Sequence, residues 1–298
     1  TVGYRVRLDA RVSARTRIEV VTEGVFTRLI QDDPELRGVA AVLFDEFHER
    51  SLEGDLGLAL AREAQSALRP DLRLIVMSAT LDAARIAALL GDAPVIVSEG
   101  RMFPVELRYR PRDPRAPLED EVAAATRKAL AEEAGSALVF LPGVREIERT
   151  AERLRTAVGD PGVDIRPLYG AMAPADQDAA IAAAPAGRRK VVLATSIAET
   201  SLTIEGVRIV VDAGLSRRPT FEPSLGLSRL ETVRASLAAI TQRAGRAGRL
   251  EPGVCVRLWS EGETRALPPF DRPEILDADL SSLALDLAAW GAHDPGAL

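Results

Sequence analysis

The sequence predicts an α/β protein built on two parallel sheets, and three observations carry that expectation. Short, wholly apolar runs alternate with segments of helical periodicity, the pattern of strands joined by crossover helices. The alternation stops once, in a proline-rich tract over residues 104–120, and then restarts. From Pro273 onward the pattern becomes helical. A chain of 298 residues is long enough for about two ordinary domains, each with its own core.

VAAVLF at 39–44 has no polar position, which predicts a strand covered on both faces. DLGLALAREAQSAL at 55–68 repeats Leu56, Leu60, Ala64 and Leu68 at helical spacing, and LRLIVM at 72–77 reads as a second buried strand. A strand, helix, strand unit implies parallel pairing, because parallel strands need a crossover. PVELRYRPRDPRAPLED at 104–120 holds four prolines and alternating charges, an edge strand followed by a linker. ALVFL at 137–141 begins the second sheet, and the helix after it carries Val144, Ile147, Ala151, Leu154 and Val158 at steps of three and four. DIRPLY at 164–169, KVVLAT at 190–195 and VRIVVD at 207–212 follow as strands, with a helix expected over 175–184. RRPTFEPSLGLSRLETV at 217–233 has extended runs around a Pro-Ser-Leu-Gly turn and reads as a β-hairpin. The apolar face of PEILDADLSSLALDLAAWG calls for a partner, expected beyond Leu298. The chain has no repeat of solenoid period and no low-complexity segment.

A net charge of -6 argues against a general polyanion binder, so any nucleic-acid contact must be local. Lys128 and Lys190 are the only lysines, and the arginine and alanine excess reads as a base-composition bias. A single cysteine, Cys255, excludes an intrachain disulfide and leaves no cysteine cluster for zinc. A reducing cytoplasm is the matching compartment. Cys255 lies in VCVRLW and reads as a buried small hydrophobe rather than a nucleophile. No stretch reaches the roughly 18 apolar residues of a membrane span, and Thr1 opens no signal-peptide pattern.

Three motifs carry chemistry. In LFDEFHERS (43–51), Asp45 and Glu46 directly follow a buried strand, the edge where open parallel sheets bind ligands. One carboxylate there suits a hydrated magnesium ion and the other an attacking water; a solvated acidic turn is the plainer alternative. SAT (78–80) puts the hydroxyls of Ser78 and Thr80 at the same edge, either to relay a change at a phosphate through His48 or Glu46 or to cap a helix starting near Asp82. In QRAGRAGR (242–249), Arg243, Arg246 and Arg249 recur every three residues, so a short helix would project them from roughly one face. Gly245 and Gly248 would let a ligand or another surface come close to the backbone. Guanidinium forks suit phosphate; a basic surface helix is the alternative.

The order of motifs, DEFH, then SAT, then ATSIAETSLTI (194–204), then QRAGRAGR, resembles superfamily 2 helicases of the DEAH-box/RHA type, and DEFHERSL is most similar to the bacterial HrpB branch. TEG (22–24), FLPG (140–143), LYG (168–170) and VVDAGLSRRPTFEP (210–223) agree, so the resemblance runs through nearly the whole chain. It implies two RecA-like lobes, the first over residues 1–103 and incomplete, the second over 104–262, with 263–298 opening a winged-helix region. The implied cofactors are ATP and Mg2+. Asp45 would hold magnesium through water, Glu46 would be the general base, and His48 would link the lobes. Gln242 would help hold the lytic water, with Arg246 and Arg249 reaching the γ-phosphate as arginine fingers and Arg243 making an interlobe contact. Ser201 would sense the γ-phosphate. Thr195, Thr22, Gly24 and Gly143 would grip a single-stranded or partly duplex nucleic acid, RNA ahead of DNA, through phosphates that carry no base sequence. The family has Asn after the motif threonine and Asp before the following glycine; here Ser196 and Glu205 stand there, which puts a ribose contact by Glu205 in doubt. The hairpin would stand at the duplex junction, with a purely structural hairpin as the alternative. His293, without a sequence neighbour to pair with, is expected on the surface.

The phosphate loop of this family, GxxxxGK followed by Ser or Thr, does not occur in the chain, and neither lysine follows a glycine. The sequence is therefore expected to be a truncated, inactive piece of a 3′-to-5′ translocating helicase; a naturally shortened, non-catalytic binding module is the competing expectation. The in-frame sequence preceding Thr1 separates the two. Purified alone, these 298 residues are expected to hydrolyse no measurable ATP; magnesium-dependent hydrolysis abolished by Glu46→Gln would refute this.

Overall fold

The computed structural model describes residues 1–79, 83–98, 100, 103–199, 204–292, 294 and 296. Thr80, Ser201 and His293, and a cap at Asp82, lie outside the described residues. The chain forms two compact units: unit 1 comprises residues 1–97, 220–229 and 272–298, and unit 2 residues 98–219 and 230–271.

Unit 1 opens with β1 (Val2–Val6), β2 (Asp9–Arg11) and β3 (Ile18–Val21), a small sheet with β1 in the centre. There follow α1 (Glu23–Asp32), β4 (Ala41–Phe44), α2 (Leu52–Ala67), β5 (Arg73–Val76) and α3 (Ala83–Leu89). β4 and β5 pair in parallel, Val42 opposite Leu74 and Phe44 opposite Val76, as the strand, helix, strand pattern requires. Ser51 starts α2 by accepting the Gly54 amide, and Leu56, Leu60 and Ala64 then pack with Ile30, Val42 and Leu72. Among the described residues the expected cover on both faces of these two strands is not found: Leu43 in β4 is 55% and Ile75 in β5 44% exposed. Side chains alternate across a strand, so Val42 meets α2 while Leu43 points the other way.

Unit 2 holds a parallel sheet in the order β6-β13-β10-β7-β9-β8 among the described residues. Its elements are β6 (Val105–Tyr109), α4 (Leu118–Glu132), β7 (Ser136–Phe140), α5 (Val144–Ala157), β8 (Val163–Leu168), α6 (Pro174–Ile181), β9 (Arg189–Ala194) and β10 (Val207–Asp212). The chain continues through a hairpin of β11 (Leu215–Glu222) and β12 (Leu227–Arg234), then α7 (Leu237–Gly245), β13 (Gly253–Arg257) and α8 (Glu261–Thr264). All five β7 residues are buried, between α4 and α5 on one face and α6 and α7 on the other. β6 takes the expected edge position. α4 is not anticipated by reading residues 104–120 as strand and linker; it buries mainly Val122, Ala125 and Ala129, and alanines carry little periodic signal. α6 stops at Ile181, short of the expected 184, where Lys190 Nζ takes up the carbonyls of Ala179 and Ala182. Burial draws that ammonium below its usual pKa. Cys255 is fully buried in β13, and burial pushes its thiol up to about 12, which makes it inert.

Part of the apolar surface of the C-terminal helix is covered inside the chain, while Leu285 stays 73% exposed. α9 (Ser281–Trp290) packs Leu283, Leu287 and Trp290 onto the unit 1 core of Ile30, Leu36 and Leu60. Trp290 Nε1 donates to Glu63 Oε2 at 2.6 Å. Pairing over so long a sequence separation is invisible to a local pattern. Among the described residues no helix is long and apolar enough to cross a membrane. Leu287→Ala is expected to cost unit 1 about 2–5 kcal/mol as a core truncation and to leave unit 2 intact. Hydrogen exchange of α2 against β7 under mild urea reads the two units separately, and unchanged exchange in α2 would contradict the packing.

Candidate functional site

The carboxyl end of β4 positions the acidic pair. Asp45 is exposed and its Oδ1 accepts the Glu46 amide at 2.9 Å. Glu46 has φ 51° and ψ 32°, and Arg50 has φ 51°, left-handed conformations that non-glycine residues adopt uncommonly. Between them Phe47–Glu49 forms a single 3-10 turn. That turn is over-determined. The Phe47 amide donates to Met77 O at 3.1 Å, the Phe47 ring packs edge-on against Phe44, and Arg50 makes a two-point bond to Asp55 at 2.9 and 3.0 Å. His48 Nδ1 lies 3.5 Å from Glu46 Oε2 with its ring mostly buried. Ser78 follows Met77 at the same sheet edge, so Asp45, Glu46, His48 and Ser78 share one rim.

Thr22 is exposed and precedes α1 in extended conformation; its carbonyl accepts the amides of Val25 and Phe26 and its hydroxyl makes no capping bond. A Cβ on Gly24 would come 3.0 Å from Glu53 Oε2, the far end of an exposed side chain on α2. Glu23, between them, accepts from the Ser51 hydroxyl at 2.7 Å. Desolvation raises the Glu23 pKa; the Ser51 bond opposes the rise, and the charges of Glu53, Glu49 and Glu274 add to it.

In unit 2 the strand ends again define a rim. Phe140, Ala194, Asp212 and Arg257 align in register across β7, β9, β10 and β13. Gly143, Thr195 and the start of the hairpin therefore follow at one edge, where strand order reverses about β7 and ligands bind in such sheets. Gly143 is extended, and a Cβ there would come 2.9 Å from the Arg217 guanidinium, which bonds Glu146 at 3.3 Å. Thr195 opens the Ser196–Ala198 turn that leads to Glu199. Glu205 is exposed in the turn before Gly206, whose φ is 73°.

The arginine repeat does not lie along one helix face. α7 ends at Gly245, and the amides of Arg246, Ala247 and Gly248 bond back three residues rather than four, the tight winding of a 3-10 end. Arg246 thus sits at the cap, Nε donating to Glu199 O at 2.7 Å, and Arg249 is exposed beyond it. Gln242 is half-buried on α7. The room at Gly248 is taken by this unit's own backbone, since a Cβ would come 2.5 Å from Phe103 O. Arg243, read as an interlobe contact, has all its described partners within its own unit. At 1% exposure it points into unit 2, bonding Glu199 Oε1 at 2.6 Å, Asp212 Oδ1 at 2.9 Å, Leu215 O and Ser216 Oγ. Burial opposes its charge, but the Asp212 and Glu199 carboxylates outweigh that and hold the guanidinium above its usual pKa.

Glu199 and Asp212 are the site residues that the motif reading overlooks. The signal for Asp212 is present: a carboxylate closes the apolar run VRIVVD. Nothing local pairs it with an arginine 31 residues on. Among the described residues no three His, Cys, Asp or Glu side chains converge on a metal position.

Comparison with known proteins supplies the family context. Residues 121–251 match the family described as helicase conserved C-terminal domain. The chain is 55% identical to ATP-dependent RNA helicase HrpB of Escherichia coli (strain K12) over 99% of its own length and 36% of that protein's. It is 38% identical to human (Homo sapiens) Probable ATP-dependent RNA helicase DHX34 over 99% of its length and 27% of that protein's. The crystal structure of Escherichia coli DEAH/RHA helicase HrpB superposes with a TM-score of 0.92 at 55% identity, covering 99% of this chain and 38% of that one. The chain spans about a third of the length of these relatives, by the same coverages.

The raised Glu23 pKa sets a pH dependence. A carboxyl that holds its proton more tightly when folded gives stability that is complete below the unfolded value of 4.5 and is lost as pH rises through the folded value. Glu23→Gln is expected to stabilise unit 1 at neutral pH and not at pH near 4; denaturant titrations at the two pH values check this, and equal effects at both would exclude Glu23 as the cause.

Proposed function

Because this chain belongs to the DEAH/RHA helicase superfamily, we propose that its gene product is an ATP-dependent RNA helicase that couples nucleotide hydrolysis to 3′-to-5′ movement along a single strand. The observation that carries the reading is that the Asp45-Glu46 pair stands just past the carboxyl ends of parallel strands, the rim at which such sheets take nucleotides, while the Arg246 side chain reaches the carbonyl of Glu199 in the segment that follows β9. Asp45 offers an exposed carboxylate oxygen, which suits a magnesium ion that keeps its waters and takes its remaining ligands from phosphate. Bound there, the ion would neutralise charge on the phosphates. Glu46, fixed by its left-handed backbone, orients and deprotonates the attacking water, and Gln242 helps hold it.

In this reading Arg246 exchanges the Glu199 carbonyl for phosphoryl oxygen during turnover, with Arg249 as the second cation. Thr22, Gly24, Gly143 and Thr195 hold the strand through its phosphates, which an acidic chain manages with hydroxyl and amide donors. Ser201 and Thr80 complete the proposed sensing and coupling roles, with Ser78 beside the acidic rim; a cytoplasmic location is part of the same proposal. In the full-length gene product, Arg246→Ala is expected to lower RNA-stimulated ATP turnover by about 10³-fold or more while nucleotide affinity stays nearly unchanged, since a finger acts on the transition state. Steady-state kinetics beside a nucleotide-binding titration measure both. Equal losses in affinity and rate would make Arg246 a ground-state clamp instead.

A further inference from the structure

The buried guanidinium of Arg243 joins two pieces of unit 2 that have different tasks in the reading above. On one side it holds Glu199, with Nε and Nη2 at 2.8 and 2.6 Å from Oε1, and the backbone carbonyl of that same residue receives Arg246. On the other it holds the first two residues of the hairpin, Nη1 donating to Leu215 O at 3.2 Å and Nη2 to Ser216 Oγ at 2.7 Å. Asp212 closes the ring: its Oδ1 accepts from Arg243 Nη1 at 2.9 Å and from the Gly214 amide at 2.8 Å. Phe140 lies under the guanidinium, 5.2 Å from ring centre to Cζ. Every N–H direction of the fork has an acceptor, a demand that the point charge of lysine does not meet.

The hairpin root is pinned a second time. Gly214, at φ 70°, brings its backbone so close to Trp259 that a Cβ would lie 2.7 Å from the ring, and the Ala235 amide donates to Gly214 O at 3.1 Å. Arg234, the last residue of β12, lies over the same indole, its Cζ 5.8 Å from the ring centre. Both hairpin strands therefore leave one shared base, which Arg243 holds at Leu215 and Ser216.

We propose that Arg243 is a positioning residue that makes the Ser196–Glu199 turn and the root of the β11–β12 hairpin one mechanical element, so that the engagement of Arg246 is transmitted to the hairpin. The transmission rests on the helicase reading; the physical connection does not. When Arg246 leaves the Glu199 carbonyl for a phosphate, the turn is freed to shift, and the guanidinium, bonded to both sides and excluded from water, moves the hairpin root with it. Arg243 touches no reacting atom in this scheme.

The test uses the full-length gene product. Without nucleotide, hydrogen exchange at the amides of residues 213–217 is followed in Ser216→Ala, Ser216→Thr and Glu199→Gln. Ser216→Ala is expected to speed exchange there about three- to tenfold, the worth of one hydrogen bond, and Ser216→Thr to restore it. Glu199→Gln is expected to speed exchange at the same amides from across the guanidinium; wild-type exchange in that variant overturns the proposal whatever the protein's activity. With ATP and an RNA duplex bearing a single-stranded tail, Ser216→Ala is expected to lower unwinding per ATP hydrolysed about threefold or more with hydrolysis close to wild type. Loss of both in proportion overturns the coupling and leaves Ser216 a structural residue. A wild-type protein that hydrolyses no ATP on RNA defeats the helicase reading alone, and the exchange measurements still decide the connection.

Discussion

One ion cluster organises unit 2: the guanidinium of Arg243, almost wholly withdrawn from water, between the carboxylates of Glu199 and Asp212. Breaking such a buried pair by removing one member typically costs about 3–5 kcal/mol, because the remaining charge stays in a medium that cannot solvate it. The cluster therefore acts as a constraint as much as a bond. It requires the end of β10, the turn after β9 and the interior of α7 to meet at one point, and these are the elements that carry the rim of the proposed site. Three strands and a helix could pack on apolar contacts in several registers. An arginine with five donors accepts far fewer.

Unit 1 solves a comparable problem with backbone conformation. The acidic pair follows a strand too short and too half-covered to hold it rigidly, and the left-handed geometry of Glu46 and Arg50 is unfavourable by itself. Phe47 buried beneath the turn, its amide on Met77 O and the Arg50–Asp55 fork together offset that cost. A residue held in an uncommon conformation by several independent contacts does not relax when a ligand arrives or leaves. That property suits a group that must present one oxygen to water in a fixed direction.

Much of the fold was legible because its signals are local. β10 runs over the six residues VRIVVD as read, β7 and β9 are displaced from the expected runs by one residue, and α5 follows its spaced apolar positions through Leu154. The hairpin was legible from Pro-Ser-Leu-Gly, where Gly226 adopts φ 63°. What failed depended on contacts made from outside the element itself. α6 ends where a lysine from the next strand reaches its carbonyls, α9 finds its core in a segment more than two hundred residues earlier, as the 227-residue separation of Trp290 and Glu63 shows, and the cover of β4 is decided by which face α2 takes.

The arginine repeat separates the two kinds of information most clearly. Residue type and spacing by themselves determined that 242–249 is a phosphate-suited, helix-forming segment in a protein with two parallel sheets, and the motif order determined its family, because each rests on neighbours along the chain. Only the tertiary structure decided that three equivalent-looking arginines have three different fates. One is buried between carboxylates, one is bound to a backbone carbonyl at the helix cap, and one is exposed past it. The reason is physical: a guanidinium goes where acceptors are, and Glu199, Asp212 and the hairpin root reach Arg243 only after the sheet has brought the ends of its strands into line.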